Sequence, residues 1–119
     1  MKYLLIIASD PSLPSPAPGD AEFGAYMQGW TDYGDALTSA GALLASEALL
    51  PVETATTVRH EGGAAHVLDG PFAELKEHLG GFYLIDVDTL DDAVEWARKL
   101  PVGEGAVEVR PIMDLSAFE

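Results

Sequence analysis

Polar groups and glycines concentrate between Asp69 and Tyr83, in the run Asp-Gly-Pro-Phe-Ala-Glu-Leu-Lys-Glu-His-Leu-Gly-Gly-Phe-Tyr. Asp69 can accept a proton from a bound substrate or hold a cationic group, with Lys76 as counter-charge and the Tyr83 hydroxyl as hydrogen-bond donor. The same residues also have backbone roles that need no substrate. Asp69 would accept N–H bonds in an Asx turn or cap, Pro71 would open a short helix, and Phe72 would anchor the loop in the core. Asp69 is therefore the catalytic candidate. Gly70, Pro71, Phe72, Lys76 and Tyr83 are binding candidates, joined by Tyr26 and Trp30 from an aromatic stripe and by Glu47 from an apolar run.

Other chemistries find less support. There is no cysteine, which removes disulfides, thiolate metal ligation and thiol nucleophiles. His60, His66 and His78 are the available imidazoles, but their spacing gathers them on neither one helix face nor one closed turn, so no metal site is expected. No serine sits in a Gly-x-Ser-x-Gly elbow. Gly62-Gly63 and Gly80-Gly81 precede no lysine as a phosphate loop requires, and no cofactor is expected.

Charge narrows the partners. The chain carries 20 acidic against 6 basic residues, a formal net charge of −14. Nucleic acid and anionic membrane surfaces are disfavoured, since both demand clustered Lys and Arg. The N-terminal run Tyr3-Leu4-Leu5-Ile6-Ile7-Ala8 is far short of the ~20 apolar residues of a membrane span. It suits a strand better than a signal peptide, and the cytoplasm is the expected compartment. At 119 residues, with 48% hydrophobic composition, one domain spanning 1–119 is expected.

The elements that must position these groups follow from periodicity. Residues 2 to 8 are continuously apolar, as in a central strand. Pro11 to Gly19 holds four prolines and makes a loop. Asp20 is placed to cap a long helix on which Phe23, Tyr26, Met27, Trp30, Tyr33 and Leu37 share one face. Gly41 ends it, and the internal Gly24, Gly29 and Gly34 imply close packing or a soft helix. That stripe serves a core or lines a cleft.

Ala42 to Leu50 reads as a second strand, interrupted by Glu47, whose carboxylate faces either a cavity or solvent. Thr54–His60 and Ala64–Leu68 flank Glu61-Gly62-Gly63 as a hairpin. Ala73 to Leu79 allows about two helical turns before Gly80-Gly81. Phe82 to Val87 alternates as a strand. Asp88 or Thr89 caps a helix carrying Leu90, Ala93, Val94, Ala97 and Leu100, and Ala106–Arg110 is the last strand.

The order is βαβ, an inserted ββ arm, then βαβ, an α+β ferredoxin-like layout with an antiparallel sheet. Both helices on one face leave the other face bare. A second copy stacked sheet against sheet would bury it, so a homodimer, a dimeric α+β barrel, is expected.

Asp69-Gly70-Pro71-Phe72, the charged Ala-Glu-Leu-Lys-Glu after it and Leu-Gly-Gly-Phe-Tyr-Leu-Ile-Asp-Val together resemble the DGPF branch of the YCII-related family. The similarity extends to Thr54–Arg59, to Leu90–Ala97 and to Val107–Pro111. The resemblance implies a ferredoxin-like α+β barrel dimer with a cleft between helix and sheet near the dimer interface. It also implies a His/Asp pair whose histidine lies on the first long helix, but no histidine stands between Ala21 and Ala40, so that pair has no counterpart here. Members of the branch are often encoded beside sigma factors of the extracytoplasmic type.

Two functions of different class fit these features. One is small-molecule binding, with or without catalysis, in a cleft near the dimer interface walled by Tyr26, Trp30 and Tyr83 with Asp69 as polar anchor. The other is a non-enzymatic acidic module that engages a basic partner in transcription control.

Overall fold

The computed structural model describes residues 1–119. Six strands and two α-helices follow in the order β1 (Lys2–Ser9), α1 (Phe23–Ser39), β2 (Leu43–Ala48), β3 (Thr56–Glu61), β4 (Ala64–Asp69), β5 (His78–Asp86), α2 (Leu90–Arg98) and β6 (Ala106–Pro111). Single 3₁₀ turns lie at Val52–Thr54 and Leu115–Phe118. The main sheet is ordered β2-β5-β1-β6 with every neighbouring pair antiparallel. Each βαβ half thus receives a strand of the other half between its own two. This is the ferredoxin-like α+β arrangement.

Strand pairing divides the side chains between two faces. Leu5 lies beside Tyr83 and Val109, and Tyr3 beside Ile85, on the face that carries the helices. Leu5, Leu37 and Ile85 are completely buried there and centre the core, with Tyr3, Tyr33, Ala42, Ala93 and Leu100 around them. On the opposite face Leu4 pairs with Leu84 and Ile6 with Phe82, and all four remain half-buried with no layer above them.

Helix α2 begins as its sequence predicts: the Thr89 hydroxyl accepts from the Asp92 N–H, and Asp91 and Asp92 stand in the positive first turn. Helix α1 does not. It starts at Phe23 with no side-chain cap, because the Asp20 carboxylate turns back to accept from the Ala17 N–H and closes the proline-rich loop. Gly41 does end α1, in the left-handed region at φ 70°. Of its internal glycines only Gly29 has a close neighbour, the Pro101 ring; Gly24 and Gly34 face open space, so close packing does not explain them.

The arm β3–β4 turns through Gly62 and Gly63, with φ 57° and 80°, as a two-residue hairpin requires. It stands away from the sheet as a separate two-stranded ribbon. The radius of gyration is accordingly 16.7 Å, against about 13.5 Å for a compact chain of this length.

The expected helix over Ala73–Leu79 is absent. Residues 70–77 are irregular, and β5 begins at His78, opposite Ser9. Two isolated turns of helix carry a nucleation cost that local residues do not repay, whereas pairing to a central strand does. Gly80-Gly81 therefore lies inside β5, next to a bulge at Ile7/Ala8, and stops no helix.

Candidate functional site

The stripe on α1 splits in two. Its C-terminal half, Tyr33 and Leu37, is core, while Tyr26, Met27 and Trp30 wall a cavity of about 920 Å³. The opposite walls come from four places: the proline-rich loop from Asp10 to Pro16, the end of β2, the start of β5, and residues 101–104 after α2. The cavity opens because β2 is an edge strand exposed from Leu44 to Ala48. Gly81 lets β2 and β5 close around it, since a Cβ there would lie 2.8 Å from the Glu47 carbonyl oxygen.

Aromatic contacts link cavity and core. Tyr26 and Trp30 meet edge to face at 6.4 Å, and Tyr33 meets Tyr83 at 5.2 Å and Trp96 at 6.0 Å. Burial pushes the Tyr83 phenol above its ordinary range, so it stands in the cavity wall as a neutral hydroxyl. The Tyr33 phenol is raised further, by burial first and by Tyr83 second, and it donates to the Trp96 carbonyl at 2.7 Å.

At the cavity mouth Asp10 accepts from both the Ser12 hydroxyl, at 2.6 Å, and the Ser12 N–H, at 2.9 Å, on the same oxygen, Oδ1. These two bonds hold its carboxyl below the usual range, with smaller help from the charges of Lys76 and His78. They also close the first turn of the proline-rich loop, together with the Leu13 N–H bond to the Asp10 carbonyl.

The candidates from sequence therefore separate. Tyr26, Trp30, Tyr83 and Glu47 all line the cavity. Asp69, Gly70, Pro71, Phe72 and Lys76 do not; they lie at and beyond the root of the arm. The turn there is made by the backbone: Gly70 adopts φ 94°, its N–H bonds to the Ala55 carbonyl, and its own carbonyl accepts from the Thr57 hydroxyl at 2.7 Å. The Asp69 carboxylate closes no Asx turn. Phe72 is 68% exposed and anchors nothing in the core; its carbonyl is held by Arg59 Nη2 at 2.9 Å.

His60 and His66 pair with Ala65 and Arg59 respectively, which puts them on opposite faces of the arm. The side chains assemble no group of three or more His, Asp and Glu suited to a metal ion. No helix is long and apolar enough to cross a membrane. Asp10, Leu13, Met27 and Glu104 are cavity residues that the sequence did not single out. Met27 was legible as a member of the stripe. The others sit in loops that only the folded chain brings together.

Comparison with known proteins gives a relative and a family. An uncharacterized protein of Rhizobium meliloti (strain 1021) is 49% identical over 76 residues, an alignment that covers 61% of this chain and 61% of that relative. The model of the YCII-related domain matches residues 1–116, nearly the whole length of the fold described above. The chain belongs to the YCII-related domain family.

Proposed function

We propose that this protein binds a small organic molecule in the cavity between α1, the sheet edge and the proline-rich loop. The observation that carries the proposal is the cavity itself: about 920 Å³, within the size range of small-molecule sites, walled by Tyr26, Trp30 and Tyr83 and rimmed by polar groups. The Tyr83 hydroxyl is the internal hydrogen-bond donor. Asp69 lies outside the cavity lining and is given no ligand contact, and the Asp69-Gly70-Pro71-Phe72 sequence supports membership of the DGPF branch.

A second copy completes the assembly in this proposal. Leu4, Ile6, Phe82 and Leu84 form a bare apolar band on a sheet whose other face is fully used, and a stacked sheet would cover it. The compartment proposed is the cytoplasm.

A metabolite screen by thermal shift tests the binding, because a ligand selective for the folded state raises the melting temperature. Trp30→Ala is expected to abolish the shift of any hit and Tyr83→Phe to reduce it. A hit indifferent to both would place binding elsewhere. Asp69→Ala in the same titration is expected to leave affinity unchanged, and a loss would bring Asp69 into the site.

The second function, an acidic module engaging a basic regulator, is favoured by the arm. Val58 and Val67 pair across it while 52% and 70% exposed, on a chain of net charge −14. Such an association weakens steeply as salt rises, and a complex insensitive to salt would count against it.

A further inference from the structure

We propose that the cavity takes an organic cation, an ammonium group carried on an apolar or aromatic body. This rests on the assignment of the cavity as a ligand site and adds the chemical class of the ligand.

The acidic side chains on the cavity side are those of Asp10 and Glu104, while Glu47, paired with Phe82, lines it with its backbone; no Lys, Arg or His is among the lining residues. Lys76 and His78 act on Asp10 only from beyond the wall. An anionic ligand would thus enter without a counter-charge, against two carboxylates and a chain with 20 acidic and 6 basic residues. Burying a charge without a partner is costly, and this sets phosphates and carboxylates aside as ligands.

The walls favour the opposite sign. Tyr26, Trp30 and Tyr83 present aromatic rings, and the faces of such rings attract ammonium groups. Both Ser12 bonds fall on Asp10 Oδ1, which leaves Oδ2 for a ligand at the mouth. A neutral ligand would fill the apolar part equally well, yet would displace water from the carboxylates without replacing its charge stabilisation. An ammonium replaces it.

The test uses three probes that share a phenylalkyl body: 2-phenylethylammonium, 2-phenylethanol and 3-phenylpropanoate. Each is titrated at low salt, with the Trp30 indole resonance as readout, into the wild type and into the double variant Asp10→Asn/Glu104→Gln. The cation is expected to bind most tightly and the carboxylate least. Neutralising the two acids should weaken the cation roughly tenfold and leave the alcohol unchanged, which also reports that the variant is folded. If the alcohol or the carboxylate binds the wild type as tightly as the cation, the charge preference is wrong while the cavity remains a ligand site. If the double variant retains full affinity for the cation, the carboxylates are not its partners and the proposal falls. If no probe moves the Trp30 resonance, both the ligand class and the assignment of the cavity fall together.

Discussion

The Tyr33 hydroxyl donates to the Trp96 carbonyl across 2.7 Å, and the two rings meet at 84°, so one residue of α1 ties the last turn of α2 to the core. Tyr33→Phe keeps the ring contacts and removes only the hydrogen bond. The expected cost is about 1 kcal/mol, read as a fall in Tm of roughly 4 °C by calorimetry.

The same phenol makes stability sensitive to alkali. Burial raises both Tyr33 and Tyr83 above the ordinary value of 10.0. The unfolded chain therefore loses these protons at a lower pH than the folded chain. Their contribution is complete below pH 10 and is lost as pH climbs through the folded-state values. Denaturant midpoints should fall above pH 10, and the fall should be shallower in Tyr33→Phe/Tyr83→Phe, measured relative to each protein's midpoint at pH 8. An unchanged slope would show that the two phenols titrate alike in both states.

Gly81→Val pushes a side chain into the backbone of β2, whose Glu47 oxygen and Ala48 Cα stand 2.8 and 3.3 Å from the new Cβ. The edge strand must move away. A loss of about 1–3 kcal/mol is expected, with loss of ligand binding in the remaining folded protein. Leu37→Ala, at a completely buried site remote from the cavity lining, should cost about 3 kcal/mol while ligand affinity stays intact.

How much of this the residues disclose depends on the range of the forces involved. The helix faces, the hairpin glycines and the Thr89 cap are local and were legible. The helix expected over Ala73–Leu79 was read from local propensity, but His78 and Leu79 are claimed by Ser9 and Ala8, about 70 residues away in the chain. Phe72 misled for a related reason: a large apolar side chain predicts burial, and here it is 68% exposed on the irregular stretch that follows the arm. In the candidate site, Tyr26, Trp30, Tyr83 and Glu47 could be named in advance, whereas the walls from Asp10–Pro16 and 101–104 are assembled only by tertiary packing.

The bare band on the sheet leads to a prediction about assembly. Ile6→Lys places a charge at its centre, opposite Phe82, without disturbing the helix-bearing face. Sedimentation should show a dimer for the wild type and a monomer for the variant, with far-ultraviolet circular dichroism unchanged. A wild type that sediments as a monomer at micromolar concentration would remove the proposed stacking.

The arm can be viewed as a graft. Ala55 and Gly70 are joined at its root by a backbone hydrogen bond of 2.8 Å, and none of the buried core residues comes from the fourteen positions between them. Closing that gap with a shorter turn leaves the two βαβ halves intact, and lengthening it costs only the slow logarithmic growth of loop entropy. The root is thus a point where peptides can be inserted, exchanged or removed, so that the arm can diversify while the sheet and cavity stay as they are.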